Sequence, residues 1–172
     1  VWRALPERLK LPGGQRIEWY QHRQILELNG KQVGPAETLC YVVTLDGETL
    51  VTRGQLPIVK NKIPDDPHMR FRDIATGKEW GDLPGPDVRV AIPGLGLVIS
   101  PDGRTLASLQ PDGCIWLWEV ATIKPRLRLD PAGQEDIMRF AFSRDGRHLM
   151  SNDYHARTGL VWDLPGSAQP AK

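Results

Sequence analysis

Cysteine is scarce in this chain: only Cys40 and Cys114 occur in 172 residues. They lie far apart and neither belongs to a Cys-x-x-Cys pair, which leaves zinc and dithiol redox chemistry without support. Both fall at expected strand positions, where a cysteine acts as a small buried residue. Such usage does not indicate an oxidising compartment, and a cytoplasmic location is expected. Histidine is nearly as sparse, and His22, His68, His148 and His155 show no ligand spacing. Asp65-Asp66 beside His68 lacks the further, patterned oxygen ligands that calcium or magnesium requires. No charge of one sign dominates: 22 Lys and Arg stand against 21 Asp and Glu. Neither a nucleic-acid groove nor an anionic membrane surface is implied. No apolar run reaches the length of a membrane span; the most apolar stretch, Val90 to Ile99, is broken by Pro93, Gly94 and Gly96. Gly94-Leu95-Gly96 lacks the third glycine and following helix of a phosphate loop. No Gly-x-Ser-x-Gly elbow occurs. No catalytic residue, metal or cofactor is therefore assigned, and neither nucleic acid nor membrane is expected as a partner. Helical signals are missing too: 15 Pro and 17 Gly are scattered throughout, and no long stretch has a 3.6-residue period with caps.

What the chain does contain is a repeated phrase. Ser100-Pro101-Asp102-Gly103-Arg104-Thr105-Leu106 returns as Ser143-Arg144-Asp145-Gly146-Arg147-His148-Leu149. Each copy has a matching close, Trp118-Glu119-Val120 and Trp162-Asp163-Leu164. A weaker copy opens at Thr44-Leu45-Asp46-Gly47 and closes at Arg72-Asp73-Ile74. The Asp-Gly pairs are 56 and 43 residues apart, and the closing acids 46 and 44. A period of this size signals a repeat architecture, which outranks any single motif. The extra length of the first copy falls in Gln55 to Pro67, which holds three prolines and reads as a loop insertion at 55–67. Asp-Gly between apolar runs predicts hairpins with type I′ turns, whose two central residues both need positive φ. Leu39 to Leu45, Leu97 to Ile99 and Phe140 to Phe142 precede such turns; Leu106 to Leu109 and Ile115 to Val120 follow one. Several of these runs are continuously apolar, as strands covered on both faces are. Trp116, Trp118 and Trp162 sit on repeat strands and read as core, whereas Trp19-Tyr20 and Trp80 are less constrained.

The pattern resembles the WD-repeat, the four-stranded blade of a β-propeller. The residues that carry the likeness are Ser100-Pro101-Asp102-Gly103, Leu106-Ala107-Ser108, Asp112-Gly113 and Ile115-Trp116-Leu117-Trp118-Glu119, with their second copy. The resemblance implies an all-β propeller of WD-repeat type, partial or fragmentary, with three to four four-stranded antiparallel blades. Residues 1–33 would form a partial or degenerate blade, 34–84 a WD-like blade, 85–132 and 133–164 two further blades, and 165–172 a tail. Asp46, Gly47, Asp102, Gly103, Asp112, Trp118, Asp145, Gly146, Asp153, Trp162 and Asp163 take the family's structural positions. One departure stands out. Pro35, Pro86 and Gln134 occupy the place of the family's histidine, so the His-centred network cannot form and packing must carry the blades.

Such modules bind peptides or protein partners on the loop-bearing end of the propeller. The resemblance assigns the contact positions to Glu37, Leu39, Asp136, Met138 and Asn152. The implied function is a non-catalytic protein-interaction scaffold, part of a larger multidomain protein. Three blades and a partial one are few for a closed ring. The chain therefore reads as the C-terminal part of a longer propeller, with a degenerate four-bladed ring or closure by self-association as alternatives. The phrases also look like bacterial WD-repeat domains, which are often appended to signalling enzymes. The rival reading is a propeller-type enzyme domain, a hydrolase or quinone-dependent dehydrogenase, with most catalytic residues outside this segment.

Overall fold

The computed structural model describes residues 8–11, 13–20, 25–33, 37–44, 46–55, 68–84, 96–110, 113–131, 137–153 and 158–165. Every regular element among them is a β-strand, and within each sheet consecutive strands pair antiparallel. The chain divides into two units, Val1–Gly94 and Leu95–Lys172. In the first, β1 (Arg8–Lys10), β2 (Arg16–Tyr20), β3 (Ile25–Leu28) and β4 (Lys31–Gln32) form one sheet in chain order. A second sheet follows from β5 (Glu37–Val43), β6 (Thr49–Gln55), β7 (His68–Asp73) and β8 (Glu79–Pro84). The other unit holds β9 (Leu97–Ile99), β10 (Thr105–Leu109), β11 (Ile115–Glu119) and β12 (Lys124–Leu129), then β13 (Ile137–Phe142), β14 (His148–Asp153) and β15 (Gly159–Asp163). Among the described residues this last sheet has three strands and the other sheets four. Residues 8–32, expected as a partial or degenerate unit, carry four strands, of which β4 is only two residues long. Gln55, the first residue of the expected insertion, closes β6; 56–67 lie outside the described residues.

Local sequence accounts for these strands. β14 alternates: Leu149, Ser151 and Asp153 are buried while Met150 and Asn152 are exposed, the period of a strand with one covered face. In β10 Thr105, Leu106, Ala107 and Ser108 are all buried, so the sheet is covered on both faces and burial runs along the strand without alternation. In the first unit Leu11, Ile17, Leu26 and Leu28 pack with Tyr41, Leu50 and Ile74. In the second, Ala107, Ile115, Leu117 and Leu129 pack with Ile137, Phe140 and Leu149. Each such leucine, isoleucine or phenylalanine contributes roughly 1.5–3 kcal/mol when fully buried.

The Asp-Gly turns are not type I′. Gly47, Gly103 and Gly146 have φ of 74°, 73° and 71°, but no aspartate is among the described residues with positive φ. Each loop is instead a turn closed from the glycine amide to the residue three before it: Gly47 to Thr44, Gly103 to Ser100, Gly146 to Ser143, at 2.9, 2.9 and 3.0 Å. The reason is a side-chain clamp. The Ser or Thr hydroxyl donates to the Asp Oδ1 at 2.5, 2.5 and 2.6 Å for residues 44, 100 and 143. The same carboxylate accepts the amide two residues on, from Glu48, Arg104 and Arg147. These bonds favour an ordinary right-handed turn followed by one left-handed glycine, the longer hairpin loop. A true two-residue type I′ hairpin does occur, at Asn29-Gly30 between β3 and β4, with φ of 53° and 78°.

Candidate functional site

Polar side chains are concentrated at two kinds of place: inside the sheets and at their ends. The internal ones occupy a repeated position, six residues beyond each turn aspartate: Thr52, Ser108 and Ser151, all buried. In the second unit Ser108 Oγ accepts from Trp118 Nε1 at 2.8 Å and from Gln110 Nε2 at 2.8 Å. The pair joins β10 to β11 without a histidine, and Trp118 stacks at 5.5 Å on Trp116. In the first unit Arg72 stands where Trp118 does, and Thr52 Oγ1 has no hydrogen-bond partner. Arg72 turns to Glu79 instead, at 2.7 Å, and Arg70 joins it at 3.1 Å. Thr52 lies opposite Tyr41, whose phenol is pushed up to about 12 by burial. Asp153 is buried at the end of β14, Trp162 packs on the core opposite Leu149, and Asp163 is exposed; Asp112 lies outside the described residues.

The expected contact positions fall at the ends of the sheets away from the Asp-Gly turns. Glu37 begins β5 and Leu39 is its third residue; Met138 is in β13; Asn152 is exposed in β14, opposite Arg139 and Gly159. Asp136 lies outside the described residues, as do Asp65, Asp66 and His155. A feature the sequence did not announce joins two of them. The pairing of β5 with β6 shifts register between Thr38 and Cys40, and that of β13 with β14 between Ile137 and Arg139. Leu39 and Met138 are thus each the extra residue of a β-bulge, at the same place in two repeats. Bulges bend a strand and re-aim its residues, and they are over-represented beside functional sites.

At the Asp-Gly end of the second unit lies a cleft of about 270 Å³. Leu117, Leu127, Phe142 and Leu164 contribute apolar lining; Asp102, Arg104, Glu119 and Arg126 contribute charge. Gly146 helps to form it, and a Cβ there would come 3.7 Å from Pro101 Cδ, so the two turns meet closely. Sequence reasoning missed Arg104 and Arg126. The only signal was the recurrence of arginine after Asp-Gly, as Arg104 and Arg147. The acids with shifted pKa values are turn residues. For Asp46 and Asp145 the Thr44 and Ser143 hydroxyls, then the amides of Glu48 and Arg147, hold the carboxyl below its ordinary value. Asp102 is pushed up by partial burial, but the Ser100 hydroxyl, the Arg104 amide and the Arg104 charge outweigh this and leave it lowered. Asp73 is lowered by the Thr76 hydroxyl and amide. Among the described residues no group of three or more His, Cys, Asp or Glu is placed to hold a metal ion.

No family model and no curated protein matches the sequence. Solved structures do. The RRP9 WD40 repeats superpose with a TM-score of 0.56 and 24% identity, covering 78% of this chain and 37% of that one. U3-55K gives 0.56 and 21%, covering 78% of this chain and 38% of that one. The chain thus spans well under half the length of either. The likeness establishes the fold: these antiparallel sheets are blades of WD-repeat β-propeller type.

Proposed function

We propose that the chain is a non-catalytic protein-interaction scaffold, a propeller segment of a larger protein, binding a protein or peptide partner through the blade ends that carry Glu37, Leu39, Asp136, Met138 and Asn152. The observation that carries the reading is the pair of bulges at Leu39 and Met138. A device that interrupts pairing at the same end of two repeats serves presentation better than it serves the sheet, whose ladder it weakens. The use of the acids agrees with this. Asp46, Asp73, Asp102 and Asp145 are lowered by bonds within their own turns, whereas a general acid needs a carboxyl raised toward neutrality. Among the described residues no helix is long and apolar enough to cross a membrane, and the proposed setting is the cytoplasm.

The test is selection of a displayed random-peptide library on the folded chain. Enriched peptides should lose binding when Glu37→Ala is combined with Leu39→Ala, and when Met138→Ala is combined with Asn152→Ala. Thermal melts of both variants should stay near that of the parent. Peptides indifferent to both pairs, or no enrichment at all, would sink the reading.

A further inference from the structure

The cleft at the Asp-Gly end of the second unit lies away from the bulges at Leu39 and Met138 and does not depend on the reading above; Arg126, in its lining, is itself the extra residue of a bulge in β12. Its chemistry is asymmetric. Arg126 Nη1 donates to the buried Thr105 Oγ1 at 3.0 Å, which fixes the guanidinium at the rim and spends one of its five N–H donors. Among the described residues no carboxylate lies within 4.0 Å of the Arg104 or Arg126 guanidinium. Of the two acids beside them, Asp102 feels the Arg104 charge without an ion pair within 4.0 Å, and each acid has an oxygen engaged in its own turn. Asp102 Oδ1 accepts from Ser100 Oγ and from the Arg104 amide. Glu119 Oε2 accepts from Thr122 Oγ1 at 2.6 Å. Donors are therefore available at the mouth, and apolar surface from Leu117, Leu127, Phe142 and Leu164 lies beside them.

We propose that this cleft binds the C-terminal carboxylate of a peptide whose last residue is aliphatic or aromatic. A carboxylate is the group that a guanidinium fork matches in two parallel hydrogen bonds. The volume of about 270 Å³ falls just below the roughly 300–1,000 Å³ of a site for a drug-sized ligand, and suits one side chain with its carboxylate. A phosphate group fits less well, because Asp102 and Glu119 oppose a second negative charge. The cleft is partly open, which leaves a way out for the rest of a peptide.

The experiment uses an N-terminally labelled hexapeptide ending in leucine, as free acid and as C-terminal amide, titrated with the full chain by fluorescence anisotropy at low salt. The free acid should bind at least about tenfold more tightly than the amide, the scale of one charge-assisted hydrogen-bond pair. Arg104→Gln with Arg126→Gln should erase that difference. Arg104→Gln alone, at an exposed side chain, should reduce the difference with the melting curve unchanged. Isovalerate, a small apolar acid, should compete only at concentrations far above that of the peptide. Equal binding of acid and amide, no binding of either, a preference that survives the double substitution, or isovalerate competing as well as the peptide itself would overturn the proposal.

Discussion

The sheet β5–β8 and the sheet β9–β12 share a register yet solve one position in opposite ways. Leu50 lies opposite Arg72 as Leu106 lies opposite Trp118. The Asp-Gly turn, the hydroxyl clamp and the closing acid recur in both. In one sheet the buried hydroxyl is bonded to a tryptophan indole and the strands are tied through it. In the other an arginine stands there, reaches an acid on the outer strand, and leaves both its own Nε and the threonine hydroxyl without a bond. The backbone of the repeat is therefore specified by turns and apolar packing, and the internal polar network is an addition that one copy lacks. Buried polar groups left unbonded cost about 1–3 kcal/mol each, so the first unit is the less economical of the two.

The sharpest way to break the contrast is to remove the tryptophan. Trp118 is 9% exposed, and truncating a buried aromatic costs about 3–5 kcal/mol. Trp118→Ala should destabilise by that amount in urea unfolding, and Trp118→Phe by about 1–2 kcal/mol, the loss being mainly one hydrogen bond to Ser108. A loss in Trp118→Phe as large as in Trp118→Ala would mean that the indole bond, rather than packing, dominates.

A second contrast lies in the turns after the closing acids. Gly77 and Ile123 hold equivalent places in Thr76-Gly77-Lys78 and Thr122-Ile123-Lys124, with φ of 70° and 55°. Each donates its amide at 2.8 Å to the carbonyl of the closing acid, Asp73 or Glu119. Glycine adopts this region freely, whereas an L-residue there costs roughly 1–2 kcal/mol. Ile123→Gly should thus stabilise the second unit by about 1 kcal/mol, less the entropy glycine gains in the unfolded chain. Gly77→Ile should destabilise the first by at least as much. Paired melting curves read both, and a destabilised Ile123→Gly would show that isoleucine packing outweighs the strain.

The third contrast is one of sign. Ser108→Ala strips the acceptor from Trp118 and Gln110 and should cost about 1–2 kcal/mol. Thr52→Val removes a hydroxyl that has no partner and keeps the shape, so it should be neutral or stabilising by up to about 1 kcal/mol. Equal destabilisation by both would mean that Thr52 is bonded in solution.

Much of this was legible because it is local. The Asp-Gly pairs, the apolar runs and the closing Trp-acid pairs closely located β9–β11, the second half of β13 and the close of β15. The type I′ expectation failed at these turns, although the deciding residues were visible: Thr44, Ser100 and Ser143 each stand two before the aspartate and donate to it. The first sheet was read as partial because its turns use Gly13-Gly14 and Asn29-Gly30 and its strands are short. Arg104 and Arg126 could not be paired from sequence, since their cleft exists only once two sheets have packed. The bulges at Leu39 and Met138 were equally hidden, because a register shift depends on the partner strand and leaves the alternation of its own strand looking ordinary.

The smallest expected effect concerns the feature that both units share. Asp46, Asp102 and Asp145 have carboxyls held below the ordinary value of 3.8. A carboxyl lowered in the folded state binds fewer protons there than in the unfolded chain. Its contribution is therefore complete above pH 3.8 and disappears as pH falls through the lower, folded value. Stability should be flat from neutral pH down to about 5 and then decline through the acid range. Replacing the aspartates by asparagine keeps an acceptor for the hydroxyl and the amide but removes the charge. The triple variant Asp46→Asn, Asp102→Asn, Asp145→Asn should be slightly less stable at pH 7 and show a shallower acid decline in urea midpoints. Substituted singly, Asp102 should differ from the other two, because partial burial already opposes its ionisation. An acid decline unchanged in the triple variant would move the titrating groups away from the turns, and the clamp would then owe its strength to geometry alone.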